Sequence, residues 1–193
     1  EQPNGVVLVT GPTGSGKSLC YQLSALHLPN LTLVVSPLLA LMKDQVDFLN
    51  AKSIAAASLD STLSPEQYRD TITRVKSGEI KILMVSVERF KNERFRNFID
   101  QVRISMLVID EAHCISEWGH DFRPSYARLK ERQEALPHMD GSRPSIIALT
   151  ATASQKVQED VLEQLKMNDK EDLIHKIIDR KELSLEVLPM RLD

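Results

Sequence analysis

VVLVTGPTGSGKS, residues 6–18, sets an aliphatic run against a glycine-rich octet. Val6 to Thr10 reads as a strand, and GPTGSGKS fits G-x-x-x-x-G-K-[ST], with Gly11, Gly16, Lys17 and Ser18 in the fixed places. The glycines let the backbone turn tightly and aim N–H groups at an anion, at the start of a helix whose dipole favours negative charge. On this reading Gly11, Pro12, Thr13, Gly14, Ser15, Gly16, Lys17 and Ser18 cradle nucleotide phosphates. Lys17 reaches the β- and γ-phosphates, and the Ser18 hydroxyl ligates Mg²⁺. A glycine-rich turn that binds nothing is the alternative; a strand before the loop and Lys17-Ser18 opening a helical stretch favour the nucleotide site.

Outward from the loop, short aliphatic runs alternate with longer amphipathic ones. Strands are expected at Val6–Thr10, Leu31–Val35, Ile54–Ser58, Ile80–Val85, Ser105–Ile109 and Ser145–Leu149. Helices are expected at Lys17–His27, stopped by Pro29-Asn30, and at Leu38–Asn50, where Leu38, Leu41, Met42, Val46 and Leu49 follow a helical period. Ser64-Pro65-Glu66-Gln67 is a helix start, with Ser at the N-cap, Pro in the first turn and Gln closing a capping box; Gly78 ends that helix. Further helices are expected near Glu88–Asp100, Tyr126–Leu136 and Ser154–Leu165. Such alternation implies an α/β fold, a mostly parallel central sheet with helices on both faces, whose ligands gather at the carboxyl ends of the strands.

Composition bounds the rest. The 193 residues suffice for one well-cored domain, and 42% hydrophobic with 26% charged residues is ordinary globular composition. A formal net charge of −3 speaks against a generally basic coat, so any nucleic-acid contact must be local. Cys20 and Cys114 make no disulfide framework, which points to a reducing, intracellular compartment, cytoplasmic or nuclear. No apolar run approaches a membrane span, so no membrane partner is expected. The chain opens on Glu1 rather than Met, as a domain taken from a longer polypeptide would.

MLVIDEAH, residues 106–113, supplies the second half of a nucleotide site. Four apolar residues make a strand buried on both faces, and Asp110, the first polar side chain past its end, emerges near the phosphate loop. Asp110 would hold Mg²⁺, Glu111 would position and deprotonate the attacking water, and His113 would sense the γ-phosphate or bridge to a neighbouring domain. A solvated turn is the plainer alternative. Spacing alone supports an NTPase of the phosphate-loop class and goes no further.

Longer stretches carry a resemblance. SLCYQL (18–23), VVSPLLALMKDQV (34–46), VIDEAHCISEWGHDFRPSY (108–126) and ALTATA (148–153) resemble the RecQ family of DNA helicases, of the DEAH type in superfamily two. The resemblance spans nearly the whole chain in family order. It implies a RecA-like ATP-binding domain over residues 1–178, the first of two, with 179–193 as a tail or linker toward the second RecA-like domain. It also implies the cofactors ATP and Mg²⁺, 3′ to 5′ translocation on single-stranded DNA with unwinding at duplex junctions, and roles in DNA repair and recombination.

The segment after the carboxylates suits that reading. It holds the only Trp of the chain, Trp118, followed by Gly119, His120, Phe122 and Arg123. Aromatic faces and a guanidinium can stack on unpaired bases and bind phosphates without sequence preference, although Trp118 and Phe122 filling a core gap is the competing reading. In the family this loop links DNA binding to hydrolysis. Ser36, ahead of Pro37, can hold a DNA phosphate or serve as an N-cap. Thr150 and Thr152 can hydrogen-bond to the Asp110–His113 segment and report nucleotide state, as the resemblance implies, or form a structural turn. The chain departs from the family at Gly11, usually Met, at Ser15, usually Gly, and at Val87, usually Pro; the upstream glutamine motif that reads adenine has no match. Without the second domain's arginine the chain alone is expected to bind nucleotide weakly, hydrolyse it slowly and unwind nothing. The rival functions are an RNA helicase or duplex translocase of the same superfamily, and a nucleotide switch with no polynucleotide track.

Overall fold

The computed structural model describes residues 6–11, 14–115, 144–151 and 173–175, with positions 156, 159, 161 and 163 of one further helix. Its elements are β1 (Val6–Thr10), α1 (Lys17–His27), β2 (Leu31–Ser36), α2 (Leu39–Ala51), β3 (Ala56–Leu59), α3 (Pro65–Lys76), β4 (Ile82–Ser86), α4 (Glu93–Ile99), β5 (Ile104–Ile109), β6 (Ser145–Thr150) and β7 (Leu173–His175). Two 3₁₀ turns, Val87–Lys91 and Ala112–Ile115, follow β4 and β5. The seven strands are parallel in the order β3-β4-β2-β5-β6-β1-β7. The expected Tyr126–Leu136 helix lies outside the described residues, as does most of the Ser154–Leu165 helix.

Alternation along the strands sends side chains to two apolar layers. Leu33, Val35, Leu83, Val85, Leu107 and Ile109 face a layer that takes in Val75 of α3 and Phe95 and Phe98 of α4. Val34, Ile82, Met84 and Val108 face the other, against Tyr21 and Ala25 of α1 and Met42 and Leu49 of α2. Helices therefore cover both faces. The parity of β5 changes at its start: Leu31 pairs with Ile104 but Thr32 with Met106, so Ser105 is bulged out and its hydroxyl accepts from the Asn30 N–H at 3.1 Å.

α3 starts as its sequence dictates. Ser64 Oγ accepts from Gln67 N at 3.2 Å while Ser64 N donates to Gln67 Oε1 at 2.9 Å, a closed capping box worth about 1 kcal/mol. Gly78, at φ 78°, follows the C-cap Ser77, and Ile80 N still donates to Arg74 O, so β4 begins two residues later than expected. β3 begins at Ala56 rather than Ile54 for a similar reason. Ser53 turns left-handed at φ 60°, Ile54 N returns to Leu49 O, and the Asn50 amide brackets both backbone groups of Ala56 at 3.0 Å.

The expected Glu88–Asp100 helix is broken in two. Asn92 is extended and its side chain caps Phe95 N at 3.1 Å, while the Arg96 guanidinium donates to Phe90 O and Lys91 O and closes the preceding turn. In α2 the apolar periodicity overstates burial: Met42 and Leu49 are buried, Leu38 and Leu41 are exposed.

Candidate nucleotide site

The strand order lines up the carboxyl ends that matter. Passing across the sheet from β4 to β1, these ends carry Ser86, Ser36, Asp110, Thr150 and Gly11 in turn. The pairing is level, Ser86 beside Ser36 and Thr150 beside Thr10, so five neighbouring strands present one polar edge. At about 4.8 Å per strand, Asp110 and the loop after β1 lie two strands, roughly 10 Å, apart, a gap that Lys17 and a phosphate chain can span.

The phosphate loop departs from β1 under restraint. Gly11 N donates to Thr150 O at 3.2 Å, which ties its base to β6. Gly14 and Gly16 hold φ 79° and 81°, and Gly16 is the N-cap of α1 without a side-chain cap, so the first N–H groups of α1 have no intrahelical acceptor. Lys17 Nζ donates to Gly11 O at 2.6 Å, folding back over the loop it belongs to. Ser15, Gly16, Lys17 and Ser18 are half-buried and Gly14 is exposed; Pro12 and Thr13 lie outside the described residues.

Asp110 is locked at the end of β5. Its N–H donates to Val35 O at 2.9 Å, its Oδ1 accepts from Glu111 N at 3.0 Å, and Ser36 Oγ donates to Oδ2 at 3.4 Å. Burial first, and the Glu111 carboxylate second, push the Asp110 carboxyl above the ordinary aspartate value, against the pull of Lys17. A second cation at this carboxylate would relieve that cost, so the donor set suits a divalent metal. Ser36 is buried, and its Oγ also accepts from Leu38 N at 3.3 Å. The hydroxyl is thus engaged with Asp110 and the chain ahead of α2, whose N-cap is Leu38 and not Ser36.

Glu111 takes a left-handed backbone at φ 51°, a conformation that costs a non-glycine residue about 1 kcal/mol or more. Its carboxylate lies 3.4 Å from His113 Nδ1, and the same nitrogen is 3.1 Å from Thr150 Oγ1. Glu111, His113 and Thr150 therefore form one polar chain from β5 to β6. Thr152, Trp118, His120, Phe122 and Arg123 lie outside the described residues.

Tyr21 was not singled out by the sequence. It is buried in the apolar layer with Val9 and Val34 of the sheet, donates to Gln45 Oε1 at 3.1 Å and so joins α1 to α2; burial pushes its phenol up to about 12. Its place one helical turn after Lys17 was the available signal. Cys20 and Cys114 are both free thiols. Among the described residues no helix is long and apolar enough to cross a membrane.

Comparison with known proteins gives the family and the fold. The chain is 44% identical to ATP-dependent DNA helicase RecQ of Haemophilus influenzae over 171 residues, covering 89% of this chain and 26% of that protein. It is 41% identical to RecQ of Bacillus subtilis, covering 92% and 29%. The chain thus spans about a quarter of the length of these curated relatives. In fold it resembles the crystal structure of the DUF1998 helicase MrfA bound to DNA, with a TM-score of 0.70 and 23% identity, covering 90% of this chain and 25% of that one. These likenesses make the domain a RecA-like α/β fold. The family model for DEAD/DEAH box helicases matches residues 3–161, and the chain belongs to that family.

Proposed function

We propose that this chain is the first of two RecA-like motor domains of a RecQ-type DNA helicase, coupling ATP hydrolysis to 3′ to 5′ movement on single-stranded DNA and to unwinding at duplex junctions. One observation carries it: Lys17, Asp110, Glu111 and Thr150 stand on one sheet edge in a chain 41% and 44% identical to RecQ proteins. Residues 1–178 form the motor domain, and 179–193 lead toward the second.

The residues present fit Mg²⁺ and ATP. The opening N–H groups of α1 and Lys17 would hold the phosphates, and Ser18 and Asp110 would hold the metal. Bound there, Mg²⁺-ATP supplies the cleavable phosphoanhydride and charge neutralisation on its oxygens. Glu111 orients the attacking water and takes its proton on the carboxylate, and His113, which lies between that carboxylate and the Thr150 hydroxyl, reports its position to β6. Trp118, His120, Phe122 and Arg123, within a dozen residues of Glu111, bind and stack on unpaired DNA, which lets DNA act on the glutamate. Ser36 contributes through its contact with Asp110. An arginine from the second domain completes transition-state stabilisation, so the chain alone binds nucleotide weakly, turns it over slowly and does not unwind duplexes.

Calorimetric titration of the chain with Mg²⁺-ATP tests the site. Lys17→Ala lowers affinity at least tenfold with the melting temperature kept; unchanged affinity would remove the loop from nucleotide binding.

A further inference from the structure

Ser36 ends β2, with Pro37 behind it, and its hydroxyl has two engagements. The oxygen accepts from Leu38 N at 3.3 Å, and the proton goes to Asp110 Oδ2 at 3.4 Å. A hydroxyl carries a single proton, so a DNA phosphate at Ser36 would have to take it from the carboxylate. It would also have to reach a residue that is only 4% exposed.

Both oxygens of Asp110 are held. Oδ1 accepts from Glu111 N at 3.0 Å and Oδ2 from Ser36, which fixes the plane of the carboxylate while each oxygen keeps a lone pair for a metal. Asp110 N donates to Val35 O at 2.9 Å, so the ends of β2 and β5 are locked together beside this contact. On the other side of the hydroxyl, Leu38 is neither helical nor extended, at φ −98° and ψ 83°, and its carbonyl accepts from Leu41 N and Met42 N in the first turn of α2. Pro37 has no N–H, which makes Leu38 N the first backbone donor after Ser36. One hydroxyl therefore joins Asp110 to the start of α2. Farther along, Gln45 is held by Tyr21 of α1 at 3.1 Å, so α2 is pinned at its middle and a change at Asp110 arrives at its amino end.

We propose that Ser36 is a positioning residue of the metal site: its hydroxyl sets the Asp110 carboxylate for Mg²⁺ and passes metal occupancy to the first turn of α2. The inference rests on the nucleotide reading above and deepens it by assigning Ser36 to the metal rather than to DNA. With charge drawn from Oδ2 toward a metal, the hold on the Ser36 proton weakens, and the bond that Leu38 N makes to the same oxygen changes with it.

The test follows ATP binding and the ¹⁵N NMR spectrum of the chain as Mg²⁺ is added at fixed ATP. Ser36→Ala raises the Mg²⁺ concentration for half-maximal ATP binding about tenfold or more, and Ser36→Thr, which keeps the hydroxyl, restores it to within about threefold of the parent. In the parent the Leu38 and Glu111 backbone signals move along one Mg²⁺ curve, the first through Oδ2 and Ser36, the second through Oδ1. In Ser36→Ala the Glu111 signal still follows Mg²⁺ and the Leu38 signal does not, a separation that lost packing alone would not produce. The parent curve needs no variant and decides the matter if Ser36→Ala fails to fold. An unchanged Mg²⁺ requirement in Ser36→Ala, a folded Ser36→Thr chain that needs as much Mg²⁺ as Ser36→Ala, or a parent Leu38 signal that ignores Mg²⁺ while Glu111 responds would overturn the assignment and leave the nucleotide site standing. A parent chain that binds no ATP at any Mg²⁺ concentration would overturn the nucleotide reading itself, and this inference with it.

Discussion

Gly16 and Gly78 make a matched pair in which backbone strain can be separated from ligand binding. Their φ values are 81° and 78°, and among the described residues a Cβ meets only Leu19 Cδ1 at 3.6 Å at the first and nothing within 4 Å at the second. Neither Ala substitution creates a clash, so each costs the left-handed penalty alone, about 1–2 kcal/mol. Gly78 follows α3 far from nucleotide, and its penalty falls wholly on stability, lowering the melting temperature by about 2–8 °C for a chain of this size. Gly16 opens α1 inside the phosphate loop. There the strain can be shed by local relaxation, which turns the loop N–H groups away, and the same 1–2 kcal/mol then appears as about a 5–30-fold loss of Mg²⁺-ATP affinity. Thermal melts and binding of a fluorescent ATP analogue read both quantities. For Gly16→Ala the stability and affinity losses should together reach about 1–2 kcal/mol, while Gly78→Ala leaves affinity unchanged. Full retention of stability and affinity in Gly16→Ala, or a loss of affinity in Gly78→Ala, would refute the reasoning.

Three further outcomes are expected. Glu111→Gly relieves the φ 51° backbone and raises stability by about 1 kcal/mol, while steady-state hydrolysis falls at least 100-fold; a melt and an ATPase assay on one preparation check both. Thr32 is fully buried, and its Oγ1 has no hydrogen-bond partner among the described residues, so Thr32→Val should stabilise the chain by about 1 kcal/mol in denaturant unfolding. Burial and Glu111 raise the Asp110 carboxyl in the folded state, so its contribution to stability is complete below the unfolded carboxylate value and is lost as pH rises through the folded one. Asp110→Asn should accordingly gain melting temperature relative to the parent chain as pH climbs from about 4 to neutrality, and a flat difference would contradict it.

Where local chemistry decided structure, the sequence was explicit. Ser64-Pro65-Glu66-Gln67 carries its own capping box, and α1 begins and ends where Lys17 and Pro29 say it must. The strand–loop–helix at β1 and the aliphatic strand before Asp110 placed the site at the carboxyl edge for the same reason. What the sequence could not give depended on contacts between distant elements. The break at Asn92 needs the Arg96 guanidinium over Phe90 O, and the start of β3 needs Asn50 to reach Ala56. β7 is three residues long and becomes a strand only by pairing with β1. The site shows the same limit. Asp110 and Glu111 were legible from type and spacing, and the contact of Thr150 with the Asp110–His113 segment, seen at His113 across 37 residues, was expected from the resemblance, whereas the left-handed Glu111 and the Ser36–Asp110 contact are properties of the sheet order.

The most direct measurement is the steady-state ATPase rate of a polypeptide joining this domain to a second RecA-like domain, with single-stranded DNA, single-stranded RNA or no polymer, alongside Trp118→Ala. A DNA-driven motor predicts strong stimulation by DNA, little by RNA, and loss of that stimulation in Trp118→Ala with ATP binding retained. A rate that neither polymer changes would contradict the motor and leave GPTGSGKS as the loop of a nucleotide switch.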